Sequence, residues 1–320
     1  MPQITIINLG LKELLMITIT FLGTVSGIPS LHRNHSAIVL EHFTDEKEVF
    51  LFDCGEGTQK QLMKSDVSFM DIEKVFITHW HADHFAGLIP MIQTMNMERR
   101  SKPLTIFGPE AERFVSNIMD MGYFGLRFEV RAVNVPFEGS EITKIDEGEN
   151  YEIICIPVMH SVPTVAYCYK EKDKWNIDEE KLKEKGIKKG VWLKNLKKDG
   201  KIEWGGKEVR IEDVGYVKEG VRIVYSGDTA PCENVEKISK DADLLIHDGT
   251  FLEEDVGSKA HADVSEAARL AKRSGVKRLI LTHISRRYTD TKELEERARE
   301  IFPETTIAHD MMKVKLKKDE

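Results

Sequence analysis

A recurring strand ending constrains this chain more than any other feature. His79 closes "KVFITH", His160 closes "EIICIPVMH", Asp228 follows "VRIVYSG", His247 closes "DLLIH" and His283 closes "RLILTH". Other β-branched runs, "MITITFL", "AIVLEHF", "EVFLFDC", "LTIFGP" and "TTIAHD", alternate with stretches of helical spacing, so the sequence predicts a mixed α/β architecture. The helical stretches are "EGTQKQLMKS", "HFAGLIPMIQTMNMERR", "PEAERFVSNIMDM", "ADVSEAARLAKRSG" and "TDTKELEERAREIF"; Asp263, Glu266 and Gly275 supply cap signals for the fourth. In α/β sheets, ligands gather beyond the carboxyl ends of strands. One histidine there is more often capped or packed, but four of the eleven histidines, joined by Asp228, make coincidence a poor explanation.

The stretch "THWHADHFAGL" concentrates the signal: His79 and His81 lie two apart as the chain leaves its strand, and Asp83 and His84 follow where it bends. Two adjacent ions are expected. The spacing assigns His79, His81 and His160 to one, Asp83, His84 and His283 to the other, and Asp228 as a carboxylate bridging both. Imidazole and carboxylate without thiolate suit Zn²⁺, with Mn²⁺ or another divalent first-row ion as an alternative. Metals about 3.5–4 Å apart activate a shared water and stabilise an in-line displacement, which points to hydrolysis.

At 320 residues and 41% hydrophobic content the chain buries a sizeable core. Cys54, Cys155, Cys168 and Cys232 are too dispersed for a thiolate cluster and are expected reduced. No apolar run approaches a membrane span, and the N-terminus lacks a basic start with a cleavage site, so a cytoplasmic protein is expected. The net charge of −8 argues against a surface that grips polyanions everywhere. Local distribution differs: "KLKEKGIKKGVWLKNLKK", Lys181 to Lys198, holds eight lysines and one acid, Glu184. A lysine run is commonly only a solvated face. It lies, however, in a polar stretch from about Glu171 to Gly220 that reads as an insertion with few apolar runs.

"HWHADH" resembles the signature of the metallo-β-lactamase superfamily, which implies an αβ/βα four-layer sandwich with a dinuclear site along one edge. "FLGTVSGIPSLHRNHSAIVL", "LFDCGEGTQKQL", "SGDT", "HDGTF" and "LTHISRRY", in this order, resemble the ribonuclease Z family from roughly Ile17 to Leu316. That resemblance implies a zinc-dependent endoribonuclease that removes the 3′ trailer from precursor tRNA. The tRNA would keep a 3′-hydroxyl and the trailer a 5′-phosphate.

The resemblance carries seven metal roles to His79, His81, Asp83, His84, His160, Asp228 and His283, and makes Asp83 the catalytic proton acceptor. It gives His247 the task of helping protonate the leaving oxygen, the alternative being a histidine that only orients a neighbouring ligand. It implies that Arg33 and Asn34 reach the RNA 3′ end, against the alternative of a tight strand connection. The basic island falls where the family carries a tRNA-gripping arm, expected at about residues 170–205, with Lys185, Lys188, Lys189, Lys194, Lys197 and Lys198 as phosphate contacts and Trp192 packing or stacking. It also suggests a homodimer in which one subunit's arm serves the other's active site.

The chain departs from the family in three places: Asp248 stands for a usual Glu, "HAD" at His261–Asp263 for a usual His-Ser-Thr, and Gly190 is followed by Val191 instead of proline. The catalytic domain is expected over 16–318, preceded by an extension at 1–15. The competing reading is another dinuclear hydrolase of this fold acting on a small phosphodiester, thioester or lactone, which has no need of a lysine-rich arm.

Overall fold

The computed structural model describes residues 16–44, 47–255 and 260–317. The expected extension, 1–15, lies outside the described residues. Two seven-stranded sheets form the centre. In spatial order the first runs Lys313–Leu316, Met16–Gly23, Ala37–Phe43, Lys47–Phe52, Lys74–Phe76, Leu104–Gly108, Val130–Asn134; the second runs Thr305–Ile307, Leu279–Thr282, Leu244–Asp248, Arg222–Tyr225, Val165–Glu171, Tyr151–Pro157, Thr143–Glu147. Each is antiparallel in one half and parallel in the other.

These strands are apolar on both faces because both faces are covered. Ile17, Ile19, Phe21, Leu40, Phe50, Phe52 and Phe76 meet Tyr167, Tyr169, Ile223, Tyr225 and Ile246 of the opposite sheet. The alternate residues Val39, Leu51, Val75 and Ile77 pack outward against helices Thr58–Lys64, Leu88–Met97 and Ala111–Asp120. Helices Glu233–Ser239, Val264–Ser274 and Lys292–Ile301 cover the second sheet. The result is the expected helix–sheet–sheet–helix sandwich. The Asp263 side chain caps its helix and Glu266 returns the bond, while Gly275 ends it in left-handed backbone at φ 68.

The edge strands Val130–Asn134 and Thr143–Glu147 escaped the sequence reading, since half-exposed edges carry mixed polarity instead of apolar runs. Among the described residues no helix is long and apolar enough to cross a membrane.

The polar stretch from about Glu171 to Gly220 folds as a unit that extends past the 170–205 expected for the arm. It runs from the strand Lys174–Ile177 to its antiparallel partner Gly215–Lys218, enclosing helices Glu179–Glu184 and Trp192–Asp199, the hairpin Lys201–Trp204/Lys207–Arg210 and a short helix Ile211–Val214. Leu182, Ile187, Leu196, Val209, Ile211 and Val214 give it a core of its own. The apolar residues are scattered singly, which is why no run announced them. Trp192 packs on Trp204, ring centroids 4.9 Å apart.

Candidate metal centre and active site

The carboxyl ends of the parallel strands converge on one edge of the sandwich, and the structure gathers there all seven side chains singled out by spacing. His79, His81 and His160 form one group of facing donor atoms, and Asp83, His84 and His283 a second; Asp228 lies with His79 and His84. His81 Nδ1 is 3.0 Å from His79 Nε2 and 3.3 Å from His160 Nε2. Asp228 reaches both groups, with Oδ1 3.3 Å from His84 Nε2 and Oδ2 3.1 Å from His283 Nε2 and 3.8 Å from His79 Nε2. Asp83 Oδ2 lies 3.5 Å from His283 Nε2 and 3.7 Å from His84 Nε2.

Two buried aspartates hold the rings in place. Asp53 Oδ2 accepts from His84 Nδ1 at 2.7 Å, and Asp53 also accepts from Thr78 Oγ1, which faces His79 Nδ1 at 3.1 Å. From the other sheet, Asp248 Oδ1 accepts from Thr250 Oγ1 at 2.5 Å, and that hydroxyl faces His283 Nδ1 at 3.1 Å. His160 Nδ1 donates to the Ala260 carbonyl at 2.9 Å. With their outer nitrogens engaged, the four rings turn Nε2 inward. Asp53 and His283 hold left-handed backbone, φ 56 and 59, a cost non-glycine residues carry mainly at functional sites. Asp53, Thr78 and Thr250 were not singled out in the sequence, although Asp53 ends the run "EVFLFD" just as the five others end theirs.

The donor set fits divalent ions. His84 Nε2, Asp228 Oδ1 and His283 Nε2 are buried without a hydrogen-bond partner among the described residues. Tetrahedral ligands at about 2.0–2.1 Å from a metal lie roughly 3.3–3.4 Å apart, close to the spacing of the His79, His81 and His160 donors. Asp53, Asp228 and Asp248 are at most 2% exposed, and buried carboxylates require cationic partners. Burial raises Asp83 and Asp228, but His283 and His84 outweigh it and hold both carboxyls below the usual range. Burial, with His84 adding, drives His79 well below the ordinary histidine value, and burial lowers His160 as well, so both present neutral lone pairs. At His84 burial is outweighed by Asp228 and Asp53, which favour positive charge at that ring.

Two further histidines lie beside the cluster, His247 buried and His261 partly exposed. His247 is 0% exposed, its Nδ1 donates to the Asp248 carbonyl at 2.7 Å, and it joins none of the donor groups. Successive strand residues point to opposite faces, and the one turned to the site is Asp248. Asp248 Oδ2 accepts from His261 Nδ1 at 2.8 Å. His261 stacks on His283, centroids 5.3 Å apart, and keeps its side chain 18% exposed. Burial opposes charge on His261, but the Asp248 carboxylate outweighs it and raises the group to about 9.

Arg33 and Asn34 are half-buried and tied to the protein at the base of their loop. Arg33 Nη1 donates to Thr24 Oγ1 and the Ala308 carbonyl, both at 2.7 Å, and the Asn34 backbone N and Nδ2 both donate to Asp310 Oδ2 at 2.8 Å. These bonds satisfy polar groups at the base of the loop. Lys185, Lys188, Lys189, Lys194, Lys197 and Lys198 are all exposed. Lys185 pairs with Asp213 at 3.4 Å and Lys189 with Glu179.

Comparison with known proteins shows the family. Residues 17–152 match the family model of the anti-Pycsar protein Apyc1, and residues 197–284 that of the beta-lactamase superfamily domain. The ribonuclease Z of Methanothermobacter thermautotrophicus is 41% identical over 307 residues, 94% of this chain and 97% of that one. That of Thermococcus gammatolerans is 44% identical over 278 residues, 86% of each chain. The crystal structure of the short form of human tRNase Z superposes with a TM-score of 0.66 at 28% identity, covering 93% of this chain and 98% of that one. By identity over nearly its whole length, on the metallo-β-lactamase fold, the chain belongs to the ribonuclease Z family.

Proposed function

We propose that this chain is an endoribonuclease of tRNA 3′ processing, a metal-dependent phosphodiesterase that removes the 3′ trailer from precursor tRNA. The observation that carries the reading is the convergence of His79, His81, His160, Asp83, His84, His283 and Asp228 on one sheet edge, in a chain of this family. His79, His81 and His160 would hold one Zn²⁺ and Asp83, His84 and His283 the other, with Asp228 in reach of both groups. Mn²⁺ is the alternative for the same donors. Two divalent cations supply Lewis-acid stabilisation of the phosphoryl oxygens and lower the pKa of water.

The chain's own residues handle the protons. Asp83 takes one from the attacking water as its oxygen bonds to phosphorus, and the bond from phosphorus to the 3′ oxygen breaks. His261, held by Asp248, gives a proton to that 3′ oxygen; His247, buried behind the strand, orients Asp248 through its carbonyl. The products are a tRNA 3′-hydroxyl and a trailer 5′-phosphate.

The six exposed lysines of the insertion contact the phosphates of the tRNA body, away from the reacting centre. A homodimer that pairs one subunit's arm with the other's active site, and a cytoplasmic setting consistent with four unpaired cysteines, complete the reading. The test is cleavage of a 3′-extended precursor tRNA, mapped to the nucleotide, by wild type and Asp83→Ala with Zn²⁺ or Mn²⁺. A metal-dependent cut at the trailer junction, reduced by ~10²–10⁴ in the variant, supports the reading. A wild type that hydrolyses bis(p-nitrophenyl) phosphate yet leaves the precursor intact overturns the substrate and favours a small phosphodiester.

A further inference from the structure

The loop Thr24–Ser36 reaches into the site at one point. The Gly27 N–H donates to Asp83 Oδ2 at 2.9 Å. The other face of the same residue is tied as well, its carbonyl 3.2 Å from His35 Nε2. Gly27 adopts left-handed backbone, φ 59, the conformation glycine holds without steric cost.

Beside Gly27 the loop is held by the parallel pairing of Val25 and Ser26 with Ile284 and Ser285, and both its bases are fastened by a residue that joins none of the clustered donor groups. Asp310 Oδ1 accepts from Thr24 Oγ1 at 2.8 Å, at one base of the loop. Its Oδ2 accepts from the Asn34 N and Nδ2, both at 2.8 Å, at the other base, and from Gln61 Nε2 at 3.1 Å. Arg33 adds a second cross-tie through Thr24 Oγ1 and the Ala308 carbonyl. Thr24 N and Val25 N both donate to the Asn34 carbonyl, at 2.8 and 3.0 Å, closing the neck between the two bases. Only an ionised carboxylate accepts from so many donors at once; an amide has one acceptor oxygen and brings two donors of its own.

We propose that Asp310 is a positioning residue of the active site. By fastening both bases of the loop it keeps the Gly27 N–H on Asp83 Oδ2, which fixes the Asp83 carboxylate and leaves Oδ1 to face the attacking water. The inference rests on Asp83 acting as the proton acceptor in the proposed reaction. A carboxylate free to rotate loses the geometry that general-base catalysis requires, so the effect belongs in kcat and not in substrate affinity.

The test compares zinc-loaded wild type, Asp310→Asn and Asp310→Glu, each labelled with ¹⁵N-glycine. The readouts are exchange of the Gly27 amide and the kinetics on precursor tRNA and on bis(p-nitrophenyl) phosphate. Asp310→Asn is expected to speed Gly27 exchange at least about tenfold and to lower kcat by roughly 10–10²-fold with KM within twofold. Asp310→Glu, which keeps the charge, recovers part of both. Gly27 exchange and kcat within twofold of wild type overturn the proposal, as does faster exchange with unchanged kcat. A rise in KM at constant kcat also overturns it, because the loop then serves binding. If Asp310→Asn does not fold, Asn34→Ala, which removes one donor and leaves Asp310, carries the same readouts and outcomes. Amide exchange needs no substrate, so a wild type unable to cut the precursor is recorded as failure of the substrate reading, and the loop tie is still judged on exchange and on the small diester.

Discussion

Asp248 Oδ2 accepts from His261 Nδ1 at 2.8 Å, while the adjacent strand residue His247 is sealed in the interior. In the proposed reaction the proton donor for the leaving oxygen is therefore His261. A 3′-alkoxide is a poor leaving group and needs that proton; p-nitrophenolate does not. His261→Ala is therefore expected to lower kcat on precursor tRNA by ~10²–10⁴ while hydrolysis of bis(p-nitrophenyl) phosphate stays within about tenfold of wild type. Equal losses on both substrates, read by steady-state kinetics, would assign His261 to holding the site together.

Asp53 accepts from His84, Thr78 and Tyr225, so its removal frees the ring that faces Asp83 and Asp228. Partners of this kind are worth about 10–100-fold in metal affinity. Asp53→Asn is expected to release zinc to a chelator at correspondingly lower concentration, measured as bound metal after dialysis. Unchanged retention would show that His84 keeps its orientation without the carboxylate.

The arm should contribute binding without chemistry. Changing Lys188, Lys194, Lys197 and Lys198 to Gln is expected to weaken precursor binding and to flatten its salt dependence by roughly 0.7–0.9 in log–log slope per lost phosphate contact. Hydrolysis of the small diester should persist. A parallel loss of both activities would make those lysines part of the fold.

Far from the site, buried His42 lies between Glu171 and Glu48, at 3.6 and 3.7 Å, and its Nδ1 is 2.7 Å from Tyr169 Oη. Burial lowers this histidine, but bonds to Glu171 and Glu48 outweigh it and raise its pKa above the ordinary value. A folded-state pKa raised in this way stabilises fully below the unfolded value of about 6.5, and the contribution fades as pH rises through the folded value. The melting-temperature gap between wild type and His42→Gln should thus be larger at pH 6 than at pH 9. A gap independent of pH would mean that the ring contributes packing alone.

A Cβ on Gly55 would lie 2.2 Å from the Asp83 carbonyl oxygen and 2.5 Å from His35 Cβ. The first contact is with a backbone oxygen, which has no rotamer to yield. Gly55→Ala is expected to cost about 1–3 kcal/mol in denaturant unfolding and to lower metal retention with it, because the displaced turn carries Asp83 and His84. A stability change under about 0.5 kcal/mol, the range of indifferent surface substitutions, would show that the turn relaxes freely.

The sequence by itself determined the mixed α/β class and which donor side chains come together, and the reason is local. His283 directly follows its strand and His79, His160 and Asp228 come within a few residues of theirs, His81, Asp83 and His84 come soon after His79, and strand ends in two stacked sheets meet along one edge. Asp53 obeyed the same rule and was legible by it, though its run was read only as a strand.

Tertiary structure alone decided the rest, because the deciding partners are far apart in the chain or differ only by which face of a strand they leave. Neighbouring His247 and Asp248 differ by half a strand period, and nothing local says which faces the cluster. The tie that Asp310, 276 residues from Asn34, makes to the loop of Arg33 and Asn34 has no local signal. The insertion's core is assembled from single apolar residues between Leu182 and Val214, a pattern without a period, so only their packing shows that the lysine-rich stretch is a folded platform.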